Sequence, residues 1–107
     1  MANSAIKTLT WTTTNDLVAK KVSKQGYKSL TIIFRNTGAN GANVKVDGGV
    51  DNTNFPVAIQ ASQVVAAGGT LALHYNTNYL PFISVSAESA VDGAHTTVEA
   101  KLAFYEF

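Results

Sequence analysis

Apolar and polar residues alternate along most of this chain with a period of two. The pattern is densest from Ser29 to Gly49, SLTIIFRNTGANGANVKVDGG. Leu30, Ile32 and Phe34 alternate with Thr31, Ile33 and Arg35, and further on Val44 and Val46 alternate with Asn43, Lys45 and Asp47. Successive side chains on a strand point to opposite faces, so each half has one face for a core and one for water. Between them Asn36-Thr-Gly-Ala-Asn-Gly is rich in residues that tolerate the backbone angles of a chain reversal. The expectation is a hairpin.

The same period marks the other elements. Ala5 to Thr13 predicts a first strand with Leu9 and Trp11 on one face, and its threonines favour strand over helix. Leu17 to Ser23 predicts a short second strand. After a loop at Gly48 to Asn54, strands are expected over Phe55 to Gln60, Thr70 to Asn76, Leu80 to Ala87 and Thr96 to Phe107. In the last of these, Val98, Ala100, Leu102 and Phe104 keep an uninterrupted inward register. Pro56 and Pro81 sit at strand starts, where a missing N–H is tolerated. Ala61 to Ala67 is weakly patterned and closes on Gly68-Gly69. No segment holds a 3.6-residue period. The fold class expected is all-β, an antiparallel sandwich of about seven or eight strands with very little helix, jelly-roll-like or immunoglobulin-like. Periodicity shows faces and not pairing order, so both arrangements stay open.

Length and composition narrow the picture further. A chain of 107 residues builds one core. Residues 1–8 form a polar, small-residue stretch expected as an N-terminal arm, with residues 9–107 as the sandwich domain. Charged residues make up only 14%, so the polar surface is mostly Thr, Ser and Asn. A net charge of +1 supplies no global attraction to nucleic acid or anionic membrane. With no cysteine, disulfide scaffolds, thiolate metal sites and cysteine enzymes are ruled out. The start, MANSAIKTLTWTTTND, lacks the pattern of a secretory signal, and no stretch approaches the ~20 apolar residues of a membrane span. Synthesis in a cytoplasm without secretion by a signal peptide is the expectation.

Catalytic motifs are absent from the sequence: no Gly-x-Ser-x-Gly elbow, no His-Glu-x-x-His helix, no phosphate-cradling loop leading into a helix. The expected role is non-enzymatic and without a cofactor. His74 and His95 have serines in plenty to meet, a coincidence that abundance alone produces. The loop Asp47 to Asn54 carries Asp47, Asp51 and Asn54 as oxygen donors. It lacks the spacing and terminal Glu of an EF-hand, and Asp and Asn are ordinary loop residues, so no metal is expected there.

Charge is unevenly placed. Lys20, Lys21, Lys24, Lys28 and Arg35 fall in a segment without acids, whereas six of the seven acids fall from Asp47 onward. An edge strand protected by lysines and a contact with a neighbouring copy both fit this, and nucleic acid fits it less well. Among the aromatics, Trp11 and Tyr75 lie on apolar faces, whereas Tyr79 in a turn and Tyr105 on an outward face are candidates for exposure.

SLTIIFRNTGANGANVKVDGGVDNTNF, then NYLPFISVSAES, then HTTVEAKLAFYEF together resemble small all-β virion proteins of tailed bacteriophages. The likeness covers about residues 28–106. Its loop reads Gly-Val-Asp51-Asn-Thr-Asn-Phe55, where the family's frequent form has Gly after the Asp. The resemblance implies a structural role: a capsid decoration (cement) protein, or a minor head or tail component, found in the virion. Its partners would be itself, as a dimer or trimer, and a major capsid or other virion protein. Docking would use Ala2, Asn3, Ser4, Ala5 and Ile6 of the arm together with Lys20, Lys21, Lys24, Arg35, Tyr79 and Tyr105. The alternative is a carbohydrate-binding module with a glycan partner, which predicts a row of exposed aromatics.

Overall fold

The computed structural model describes residues 4–23, 29–49, 51, 53–75 and 82–105. Among the described residues eight strands form two four-stranded antiparallel sheets, and there is no helix. The strands are β1 (Ser4–Thr12), β2 (Val18–Ser23), β3 (Ser29–Asn36), β4 (Ala42–Gly49), β5 (Val57–Val65), β6 (Thr70–Tyr75), β7 (Phe82–Ser89) and β8 (Thr97–Tyr105). One sheet has the order β1-β8-β3-β6 and the other β2-β7-β4-β5. First therefore pairs with last, second with seventh, third with sixth and fourth with fifth. That nesting is one long antiparallel ribbon rolled up on itself. It is the jelly-roll order and settles the choice that periodicity left open.

The alternation read from the sequence governs the packing. Leu30, Ile32 and Phe34 of β3 and Val98, Ala100, Leu102 and Phe104 of β8 face Val44 and Val46 of β4 and Ile83, Val85 and Ala87 of β7 across a single core. Each large aliphatic side chain buried there contributes on the order of 1.5–3 kcal/mol. Trp11 closes one side, buried, with its Nε1–H donating to the Val18 carbonyl at 3.0 Å.

Two expectations are corrected. β3 and β4 do not form a hairpin: β3 pairs with β6 and β8, and β4 with β5 and β7. Their apolar faces look at each other across the core, so the connection at residues 37–41 passes from one sheet to the other. An alternating pattern is the same for strands that are neighbours and for strands that are opposed. The stretch expected as an N-terminal arm, residues 1–8, overlaps the first strand: that strand, expected from Ala5, runs Ser4–Thr12, and residues 4–8 pair with Lys101 to Tyr105 of β8. Ser4, Ala5 and Ile6 continue the strand because Ala103, Phe104 and Tyr105 extend β8 far enough to meet them. Ala2 and Asn3 lie outside the described residues.

Candidate functional site

A sandwich of two open sheets has four edges, and each edge strand carries unpaired backbone groups that invite a further strand. Here the edges are β1 and β6 of one sheet and β2 and β5 of the other. On β1, Lys7 lies opposite the core residue Leu102, which places a cation on the inward side at the rim. On β2, Lys20 lies opposite the core residue Val85, and its Nζ sits 5.6 Å from the centre of the Trp11 ring. β5 is interrupted by register shifts against β4 between Val44 and Asp47. Inward charges and bulges are the devices that blunt edges against casual pairing. β6, Thr-Leu-Ala-Leu-His-Tyr, has neither a charge of fixed sign nor a proline, and its register with β3 is unbroken.

Among the described residues, the basic residues grouped in the sequence, Lys20, Lys21 and Arg35, lie on three different faces. Lys20 and Lys21 alternate on β2, with Lys21 on the outward side of its sheet, its Nζ 5.9 Å from the centre of the Phe55 ring. Arg35 lies on the outer face of the opposite sheet, between Glu99 and Thr70 in register. Lys24, Lys28 and Tyr79 lie outside the described residues. Tyr105 ends β8, opposite Ser4 and Ser29.

The acidic loop is built as a turn. Oδ1 of Asp51 accepts the backbone N–H groups of Asn54 at 2.7 Å and Thr53 at 2.8 Å. Those two bonds, with a smaller push from the Lys21 charge, hold the carboxyl below its ordinary value of 3.8. The loop then folds back on β4: a Cβ on Gly49 would meet the Asn54 carbonyl oxygen. Asp47 faces Lys45 instead, at 3.6 Å. Asp51 and Asn54 are thus engaged with each other and Asp47 with Lys45, and no group of three or more His, Cys, Asp or Glu among the described residues is arranged to hold a metal ion.

A second polar feature was missed in the sequence. Asn36, fully buried, uses its whole hydrogen-bonding capacity. Its Nδ2 donates to the carbonyls of Asn40 at 2.7 Å and Val65 at 3.0 Å. Its Oδ1 accepts the Gly38 N–H at 3.1 Å and the Thr96 hydroxyl at 2.7 Å. Beside it the Thr13 hydroxyl accepts the Thr96 N–H at 2.8 Å and lies 2.8 Å from Ser89 Oγ, which lies 2.9 Å from His95 Nδ1. The Asn40 side chain donates to the His95 carbonyl at 2.9 Å. A serine and a histidine do meet, then, but Ser89 Oγ is shared with Thr13 in a buried lacing of four loops. The bonds that join distant strands, Asn36 to Thr96, Thr13 to Ser89 and Thr13 to Thr96, span 60, 76 and 83 residues, so no local pattern announces them. His74, the other histidine, is exposed on β6 with Nδ1 2.8 Å from Thr31 Oγ1.

Apolar side chains left in solvent are all aliphatic among the described residues, led by Ile6 (75% exposed) on β1, Val91 (66%) in the β7–β8 loop and Val64 (61%) on β5. Trp11, Phe34 and Phe104 are buried, and Phe55 and Phe82 are half-buried.

No family model matches the chain, and no curated protein matches it. Solved structures do share its fold. A protein of Bacillus endospore appendages, which form disulfide-linked pili, is 13% identical over 98% of this chain and 87% of its own, with a TM-score of 0.62. YomS, derived from the SPBc2 prophage, is 10% identical over 94% of this chain and 95% of its own, also at 0.62. A CBM4 carbohydrate-binding structure is 19% identical over 78% of this chain and 56% of its own, at 0.50. At such identities the likeness is one of fold. The disulfide linkage of the appendage protein has no counterpart in a chain without cysteine.

Proposed function

We propose that this chain is a non-enzymatic structural protein of a phage virion, a capsid decoration protein that binds the shell and its own copies by protein–protein contacts. The observation that carries the reading is the character of the solvent-facing apolar surface. Ile6, Ile33, Val57, Val64 and Val91 are aliphatic and lie on strands, edges and a loop, whereas every aromatic ring with a described side chain is at least half-buried. Aliphatic side chains on strand faces and edges suit burial against another protein. A sugar platform needs exposed rings on which pyranose faces can stack. Low charge and abundant Thr and Ser suit broad, weakly charged contacts, and repetition over a shell makes modest single contacts hold.

Support of a second kind comes from the fold, which is shared with a prophage-derived protein and a pilus component. The test is co-sedimentation of the purified chain with empty phage shells, beside binding to a panel of host polysaccharides. Saturable binding to shells, weakened by Ile6→Glu, is expected. Binding to glycan with no affinity for shells overturns the reading in favour of a carbohydrate-binding module.

A further inference from the structure

We infer that β6 is a self-pairing edge: two copies of the chain join antiparallel through β6 about a two-fold axis at Ala72, making one continuous eight-stranded sheet. The inference rests on the assembly reading above and names its self-contact.

The other three edges each oppose such a union. Two β1 or two β2 strands brought together would confront the inward cations Lys7 or Lys20 with each other or force them into the joint, and like charges across a strand pair are unfavourable. The bulges of β5 break the regular ladder that a partner would need. β6 carries none of these obstacles.

Its sequence is also its own complement. Thr70-Leu71-Ala72-Leu73-His74 reads nearly the same in both directions about Ala72. In an antiparallel pair, residues directly opposite point to the same face. With Ala72 opposite Ala72 of the second copy, Leu71 meets Leu73 on the core side and Thr70 meets His74 on the outer side. Apolar meets apolar, and hydroxyl meets imidazole. Leu71 and Leu73 pack against the core but remain only partly buried, because the sheet ends beside them. A second β6 would cover them and extend the core row in which Leu71 stands beside Phe34 and Leu73 beside Ile32. On the outer face Ile33, 44% exposed, stands beside Ala72, so the joint would be spanned by a low, uncharged strip. The third partner would be the backbone: every second residue of β6 turns its N–H and C=O away from β3.

The absence of cysteine gives a background-free test. Opposed residues of an antiparallel pair are ~4.5–5.5 Å apart at Cα, within the span of a disulfide. Ala72 is exposed and outward, so Ala72→Cys leaves the core intact. Under air oxidation the full-length Ala72→Cys chain should form a covalent dimer at least tenfold faster than Thr10→Cys, which puts a thiol on the opposite edge of the same sheet. The unaltered chain should scatter light at twice its monomer mass, and Ala72→Lys, checked for native circular dichroism, should return it to monomer. An unaltered chain that stays monomeric, equal cross-linking at the two positions, or a dimer untouched by Ala72→Lys overturns the proposal. Shell binding is scored separately. A β6 dimer that ignores shells keeps this inference and removes the decoration reading, and a monomer that binds shells does the reverse.

Discussion

Thr96 donates its hydroxyl to Oδ1 of Asn36 at 2.7 Å, joining residues 60 apart inside the buried end of the sandwich. One bond thereby ties the crossover between the sheets to the start of β8. Asn36→Ala would leave the buried Val65 carbonyl, and the part-buried Asn40 carbonyl and Gly38 N–H, without their side-chain partner. Unsatisfied buried groups cost roughly 1–3 kcal/mol each, so a loss of more than ~2 kcal/mol is expected from urea unfolding. Asn36→Asp should be no milder, because it loses both Nδ2 donations and brings in a charge.

Gly38 is held by the same contact. A Cβ there would run into Thr96 Oγ1 and approach the Thr97 backbone nitrogen to 2.8 Å. Gly38→Ala should lower the unfolding midpoint clearly. Adding Thr96→Ala should restore only part of it, since the backbone contact persists and Asn36 loses a donor. Equal stability of Gly38→Ala and the parent would show that the crossover can relax away.

Trp11 fills the flank of the core, donates to Val18 and lies under Lys20. Trp11→Ala opens a cavity and should cost ~3–5 kcal/mol, the range found when a large buried ring is truncated. Lys20→Met should be milder, because a half-buried cation over a ring contributes only ~0.5–2 kcal/mol and the aliphatic stem can be kept.

The loop at Asp51 should respond to acid. Its folded pKa lies below the ordinary 3.8, so its bonds to Thr53 and Asn54 are complete above that value and are lost as pH falls through the depressed folded value. Amide resonances of Thr53 and Asn54 followed by NMR should shift with a midpoint below 3.8. A midpoint at or above it would mean that the turn is not closed by the carboxylate. Asp51→Ala should loosen this loop without disturbing the sheets.

How much of this could be read beforehand follows from what each residue announces locally. The inward set Val98, Ala100, Leu102 and Phe104 and the core place of Trp11 were legible, because burial on one strand face repeats every second residue. Pairing was not: Ile32 and Val46 show the same alternation whether their strands lie side by side or across a core. Lys20 reads as surface charge, yet its long stem lets it occupy an inward position while its head covers an indole. The bulges of β5 blurred its period over Ala61 to Val65 and made one strand look like a strand and a remnant. The Asn36 and Thr13 lacing is made of ordinary turn residues whose partners are distant in the chain. Of the proposed contacts, Ile6 was singled out by the sequence and β6 was not, since a free edge is defined by strands that are elsewhere.

The pairing of first with last, second with seventh and so inward also sets the order in which this molecule can come into being. The β4–β5 pair closes the shortest loop and each outer pair then closes around an existing one, so the entropy of closure is met in small steps. On the ribosome β1 emerges before the other strands and waits longest, with no ladder partner until β8 is complete. During that interval it is a strand of alternating character searching for a ladder, which exposes it to pairing with other nascent chains. The cation at Lys7 is thus placed where it can guard the chain before the fold exists as well as after.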